Sequence, residues 1–570
     1  MFDISTPVAS RPLHPTMGQG VAERTYLRRI LTDREIRETV TDGSIELDKK
    51  DPNIRKWYVA CLNSGVNVTT SQYAIHLGRG PETRWETWQE VAHRVALGNV
   101  RLLEHHRPET PKNVLSDAYG SMARFIADGS LLMSGRHLQQ GDENQPERPQ
   151  EVFTNCSTAP TSYALFMLLL NGSGVGRDYS DKMMVVDWAK NLPRIVCVLS
   201  DSHRDFEWGK HMSPREAKHL YNGAKDVYWH KVQDSREGWA KAVESVELTT
   251  FRNGANLGEQ INVIVLDFSD VRPEGEPIMG MQGRPSSGPK PMMDALLKID
   301  KIGGTGLSPW LATLYIDHYL AEPVLVGGAR RSARMSTKWW QDADILAFIG
   351  VKRPVEFEGL TMEEVQRYLS SGNTKPMSFL WSSNNSITVD ADFWRRVRGP
   401  ITSDPLTIHA KTVFEFAVQC GYGDGNGEPG FINVDRLSTN EEGLDHDEFR
   451  LGKFMSSLRF VSTPYSEVLL QRVYEGFTQM PYKFIVNPCG EIALSILGGF
   501  CVIADVVPYH CNTKDEVHEV VATAVQALMR VNLMESLFHT EVKRTNRIGV
   551  GLTGVHEAAW KFFRVGWDDL

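Results

Sequence analysis

The sequence predicts an α/β protein built on a largely parallel sheet or barrel. Two kinds of segment lead there. Ile261–Phe268 (INVIVLDF) is β-branched and reads as a buried strand, and short apolar runs recur at Phe431–Val434, Phe484–Val486 and Phe500–Ile503 between Gly/Asn punctuation. Helical spacing interleaves with them: Trp88, Val91, Ala92 and Val95 early in the chain, and Val517, Val520, Val521, Ala524 and Leu528 late in it.

In chain order, residues 1–24 are polar and Pro/Gly-containing and read as a loose arm. From Glu23 to about Gly135 the pattern is mainly helical, with Gly98 as the natural stop of the first helix. Asp142–Pro149 is a polar loop, and the apolar stretch Ala159–Leu170 runs into Gly172, Gly174 and Gly176. Residues 177–260 are mixed and charged, without a strong period. Val271–Pro289 is a Pro/Gly/Ser-rich loop too long for a plain turn, and loops of that length are often functional. Thr513 and Glu516 have the spacing of a capping box before the last helix.

Composition removes several function classes. The 570 residues are 41% hydrophobic and 23% charged, ordinary for a globular protein. Lys and Arg total 62 against 71 Asp and Glu, a net charge of −9. Nucleic-acid binding needs clustered positive charge, so no such partner is expected. No apolar run approaches the 18 residues or so of a membrane span. The start MFDISTPVASRPLHP has no apolar signal core. Seven scattered cysteines, none spaced C-x-x-C, argue against a disulfide framework or structural zinc and for a reducing, cytoplasmic setting.

The most informative segment is Asn487-Pro488-Cys489-Gly490-Glu491. It puts an amide, a thiol and a carboxylate on alternate positions. In an extended loop all three would face one small molecule. Three competing motifs are weaker. Gly172–Gly176 (GSGVG) is not G-x-G-x-x-G, His203-Arg204-Asp205 lacks the other kinase elements, and Asp424–Gly427 has too few ligands for an EF-hand.

NPCGEIAL, followed by Cys501, resembles the finger loop of ribonucleotide reductases. Other segments resemble that family in the same order: Thr154-Asn155-Cys156, GSGVG at 172–176, SDVRP at 269–273 with GRPSSGP at 283–289, GGARRSA at 327–333, SNNS at 383–386, GEPG at 427–430 and NRIG at 546–549. The insertion at 177–260, with DSREGW at 234–239, is similar to that of the monomeric, adenosylcobalamin-dependent class II enzymes acting on ribonucleoside triphosphates.

The resemblance implies a ten-stranded α/β reductase barrel around a central finger loop. Its expected parts are a helical N-terminal region (1–135), the start of the barrel (136–176), an effector-site insertion (177–260) and the remaining barrel (261–570), with the finger loop near 484–494. It implies radical replacement of a ribose 2′-hydroxyl by hydrogen, with adenosylcobalamin as cofactor. Cys489 would carry the thiyl, Glu491 act as general base, Asn487 hold the sugar hydroxyls, and Cys156 and Cys501 form the reducing pair. Asn155 and Gly174 would contact substrate, and Arg272, Gly283, Ser286 and Ser287 belong to the loop that answers a dNTP effector. A thioredoxin-like dithiol would reopen the disulfide. No metal-ligating set is expected. Cys61, Cys197, Cys420 and Cys511 read as structural.

Two departures stand out. Leu132-Met133 replaces a Thr-Pro pair that holds substrate in many relatives, and the sequence stops at Leu570, soon after NRIG, without the family's later strands, P-S-G-T loop or dithiol tail. The expectation is a fragment, completed by a second polypeptide or else truncated. A class I large subunit and a non-catalytic nucleotide-binding chain are the alternative readings.

Overall fold

The computed structural model describes residues 29–30, 84–278, 284–326, 332–353, 364, 367, 371, 380, 382–425, 427–437 and 464–566. The arm at 1–24, Gly283 and most of GGARRSA lie outside them.

Helix α1 (Trp88–His106) starts at a reciprocal capping box between Thr87 and Glu90 and buries Trp88, Val91, Ala92 and Val95, as their spacing predicts. It does not stop at Gly98. A Cβ at that position would lie 2.2 Å from the Asp142 carbonyl oxygen, so this glycine serves a close approach inside the helix. Helix α2 (Lys112–Ala127) packs on α1.

The main sheet has eight strands among the described residues. β1 (Leu131–Met133) is followed by β2 (Cys156–Thr158), helix α3 (Ser162–Leu170) and β3 (Gly174–Asp178). An excursion then forms a second, three-stranded parallel sheet from β4 (Arg194–Val198), β5 (Val227–Lys231) and β6 (Val263–Asp267), in the order β4-β6-β5. Helix α4 (Arg236–Gly254) precedes β6. The sequence pattern shows β6 but not β4 or β5.

The chain returns through helix α5 (Pro309–Val326) to β7 (Arg334–Trp339), β8 (Ser383–Val389) and β9 (Gly430–Asn433). β10 (Phe484–Val486) and β11 (Ala493–Ser495) form a separate antiparallel hairpin. β12 (Gly499–Val506), helix α6 (Lys514–Val531), β13 (Ile548–Leu552) and helix α7 (Val555–Phe563) follow. Thr513 caps α6, but Glu516 turns to the Asn512 amide, so the box is half formed.

The sheet order is β9-β8-β7-β3-β2-β12-β13, with β1 also on β12. From β2 to β9 every neighbour pair is parallel. β12 runs antiparallel to β2 and β1, and parallel to β13. The result is a curled, half-barrel α/β sheet beside a helical region. Leu132-Met133, standing in place of the Thr-Pro pair, lies in β1 and pairs with Asp505 and Ala504 of β12.

Two large cores flank this sheet. One joins the three-stranded sheet to the strands from β3 to β9, and the other packs α1, α2 and α6 against β1 and β12. Glu247 of α4 ties the excursion to the barrel: its buried carboxylate accepts the Ser162 and Tyr163 amides at the start of α3, at 2.9 and 2.8 Å. Among the described residues, no helix is long and apolar enough to cross a membrane.

Candidate active site

The β10–β11 hairpin lies against the sheet because glycines clear its path. A Cβ at Gly176 would stand 2.1 Å from the Val486 carbonyl oxygen, and one at Gly174 would stand 3.0 Å from Pro488 Cγ. GSGVG is therefore largely strand β3, shaved of side chains so that the hairpin backbone can touch it. Thr158 of β2 adds a hydrogen bond to the Ser495 carbonyl at 2.6 Å. Below the hairpin, the buried Tyr482 hydroxyl donates to Asp178 at 2.7 Å.

The hairpin tip carries Asn487–Glu491. It is a turn and not an extended segment: Gly490 has φ +75° and its amide donates to the Asn487 carbonyl at 2.9 Å. Alternation of faces consequently fails. Asn487 is fully buried, whereas Cys489 and Glu491 are exposed. The Asn487 side chain braces the tip. Its Oδ1 accepts the Glu491 and Ile492 amides at 3.0 and 3.1 Å, and its Nδ2 donates to Cys156 Sγ at 3.0 Å.

Cys156 and Cys501 face each other directly, as register partners on the antiparallel strands β2 and β12. Directly opposed residues in such a pair have Cα atoms about 4.5–5.5 Å apart, within the span a disulfide bridges. Both thiols are buried. Burial pushes the Cys501 thiol well up from its ordinary value; Cys156 and Glu491 push the same way and Arg547 opposes them. A Cβ at Gly549 of NRIG would meet Cys501 Sγ at 3.7 Å and Ile503 Cγ1 at 3.0 Å, so that motif makes room beside the thiol.

Asn155, next to Cys156, accepts the Gly174 amide on its backbone oxygen at 2.7 Å, and its buried Oδ1 has no partner among the described residues. Cys156, Cys501, Asn487, Glu491, Asn155 and Gly174 are thus gathered around the tip that carries Cys489. Cys197, Cys420 and Cys511 are buried elsewhere in the two cores. Among the described residues, no cluster of His, Cys, Asp and Glu could hold a metal ion.

A separate pocket lies where the start of α4, the 271–289 loop and the barrel meet. Arg136, Asp234, Arg236, Arg272, Ser286 and Ser287 line it. Arg272 Nε donates to both Asp234 oxygens, at 3.1 and 2.9 Å, and Arg236 donates to Asn171 at 2.9 Å. Arg136 lies so close to Gly172 that a Cβ there would be 2.0 Å from its guanidinium. The 271–289 loop is not plain loop. Pro277–Ile278 pairs with Arg284–Pro285 as a short hairpin. Sequence reasoning missed Arg136 and Arg236 here, because their partners lie far away in the chain. HRD at 203–205 is structural: Asp205 accepts the Glu274 amide at 2.7 Å and His203 bonds the Val271 carbonyl at 2.7 Å, bracing the same loop.

Residues 194–302 match the family model described as B12-dependent ribonucleotide reductase, insertion domain. A protein of Mycobacterium phage D29, provisionally named an adenosylcobalamin-dependent ribonucleoside-triphosphate reductase, is 28% identical over 386 residues, covering 61% of this chain and 48% of its own. The adenosylcobalamin-dependent ribonucleoside-triphosphate reductase of Levilactobacillus brevis is 24% identical over 524 residues, 85% of this chain and 60% of that protein. A crystal structure of a B12-dependent (class II) ribonucleotide reductase superposes with a TM-score of 0.57 at 19% identity, over 97% of this chain and 64% of that one. The chain spans about half to three fifths of the length of these curated relatives. In sequence and fold, then, it resembles the class II ribonucleotide reductases.

Proposed function

We propose that this chain carries the catalytic centre of an adenosylcobalamin-dependent ribonucleotide reductase, converting ribonucleoside triphosphates to 2′-deoxyribonucleotides. The observation that carries the reading is the direct opposition of Cys156 and Cys501, with Asn487 of the Cys489 tip bonded to Cys156. Two buried thiols in register are a ready two-electron donor. An exposed thiol two residues from the brace is the third sulfur that the chemistry needs.

The residues divide the reaction as follows. Cys489, as thiyl, takes the 3′ hydrogen of the ribose. Glu491 accepts the 3′-hydroxyl proton. One thiol of the Cys156/Cys501 pair protonates the departing 2′ oxygen, which leaves as water. The pair supplies two electrons and closes to a disulfide, and Cys489 returns the hydrogen to C3′. The balance is one ribonucleotide and one dithiol in, one deoxyribonucleotide, one water and one disulfide out. Burial keeps Cys501 protonated, as a hydrogen donor must be. Asn487 holds the tip in place, and because Nδ2 makes a single bond among the described residues, to Cys156, its second N–H is left to hold a sugar hydroxyl.

The exposed face of the tip at Cys489 and Gly490 fits a bulky cofactor approaching from outside. Adenosylcobalamin brings its own cobalt ligands, so it needs no metal-ligating cluster from the chain. When bound it would supply the radical that Cys489 receives.

In this reading the pocket at Arg136, Arg236 and Arg272 takes a dNTP effector, its guanidinium groups suiting phosphate and its 271–289 wall reaching toward the barrel. A thioredoxin-like dithiol reopens the disulfide, and a cytoplasmic setting provides it. Leu552, Val555, Trp560 and Phe563 are exposed on β13 and α7, and a second polypeptide supplying further strands would cover them.

The test is Cys489→Ala in the enzyme reconstituted with adenosylcobalamin, a dithiol and any completing chain. Deoxynucleotide formation should fall at least a thousandfold while nucleotide binding persists. Retained turnover would overturn the assignment.

A further inference from the structure

Cys489 can act only if the tip that carries it is held still, and the hairpin itself does not explain how the outermost residues are held. Asn487 braces the base of the turn from inside. Pro488, the residue next to the thiol, is gripped from the sheet. On one side its ring faces Gly174 of β3, where a Cβ would come within 3.0 Å of it. On the other side Asn384 Nδ2 of β8 donates to its carbonyl oxygen at 3.0 Å.

Asn384 is well placed for this task. It is exposed, so its side chain contributes nothing to the core. Its strand is pinned through neighbours on the opposite face. Ser383 bonds Ser336 at 2.6 Å and Asn385 Oδ1 at 3.0 Å, while the Asn385 amide donates to Glu428 at 2.9 Å. Glu428 in turn pairs with Lys352 at 2.8 Å. The SNNS and GEPG segments and Lys352 thereby lock the end of β8 and aim Asn384 at the tip.

We propose that Asn384 is a positioning residue for Cys489: its hydrogen bond to the Pro488 carbonyl fixes the fingertip against the barrel. The proposal rests on the reading of Cys489 as the hydrogen-abstracting thiol, but its test does not. The amides of Gly490, Glu491 and Ile492 are all bonded within the tip, so their hydrogen exchange reports how often it opens.

The experiment is hydrogen exchange by mass spectrometry on the full chain, for Asn384→Ala, Asn384→Asp and Asn384→Gln. Asp keeps the size but turns the donor into an acceptor facing a carbonyl; Gln keeps the amide. Exchange in the peptide spanning 487–495 should rise about three- to tenfold in the Ala and Asp variants, the range of one lost hydrogen bond, and be partly restored in Gln. Peptides of β7 and β8 should keep their wild-type rates. In turnover assays kcat should fall while KM holds. Unchanged exchange at the tip overturns the proposal. So does a rise shared with β7 and β8, which would mark Asn384 as a general structural residue. If Cys489→Ala kept turnover while the tip still loosened in the Asn384 variants, the functional reading would fail and the positioning contact would stand.

Discussion

At the scale of single residues, the setting of each side chain in the candidate site is made by backbone remote from it in sequence. Motif order alone singles out Cys156, Cys489, Cys501 and Glu491 as candidates, and Cys156 and Cys501 do meet on facing strands. It does not show that Asn487 is buried, because the tip is a turn set by Gly490 and not the extended loop that the alternation assumed. Glycines behave likewise. Gly98 looks like a helix stop and Gly176 like one of a glycine cluster, but each answers a backbone segment remote in sequence, Asp142 or Val486. A direct contrast follows. Gly176→Ala drives a Cβ into the Val486 carbonyl and should destabilise the fold by about 1–3 kcal/mol in urea unfolding. Gly120→Ala, in helix α2 with nothing within 4 Å of the new Cβ, should be neutral or stabilise by up to about 1 kcal/mol.

At the scale of elements, the strands the sequence reveals are the apolar ones, such as β6 and β12. β7 (RMSTKW) and β8 (SNNSITV) escape notice because they bury polar groups. Lys338 of β7 is fully buried and pairs with Asp181 and Asp342 at 2.6 and 2.9 Å, and Thr337 bonds Asp178 at 2.9 Å. Buried polar groups of this kind are tolerated because they are hydrogen-bonded, and no periodicity betrays them. The β2–β12 pair gives the sharpest prediction at this scale. Mild oxidation with diamide should remove two thiols and yield a peptide linked between Cys156 and Cys501. Cys197, whose register partner is Leu266, and Cys420, in the Gln419–Gly423 helical turn, have no cysteine opposite them among the described residues and should stay unlinked. A link from Cys156 to any other cysteine would contradict the register.

At the scale of the whole molecule, the sequence indicated the half-barrel and its helical flank but not the way the excursion is fastened to the barrel. Glu247 reaches α3 from α4, eighty-odd residues on, and nothing local announces it. Global stability should carry a pH signature from His137. Burial lowers its pKa from 6.5 to about 4. The unfolded chain therefore binds the proton first, and stability is fully present above pH 6.5 and is lost as pH falls toward 4. The loss should reach about 3 kcal/mol in acid-titrated urea melts, and His137→Gln should flatten the curve over that interval.

The placement of Cys501 has one more consequence. β12 is where the strand direction reverses, between the five parallel strands ending at β2 and the β12–β13 pair. A bridge from Cys501 to Cys156 would stitch that seam covalently. The oxidised protein should then melt higher than the reduced one. In the proposed reaction its stiffness would serve as a record of the last turnover, erased only when an outside thiol cuts the stitch.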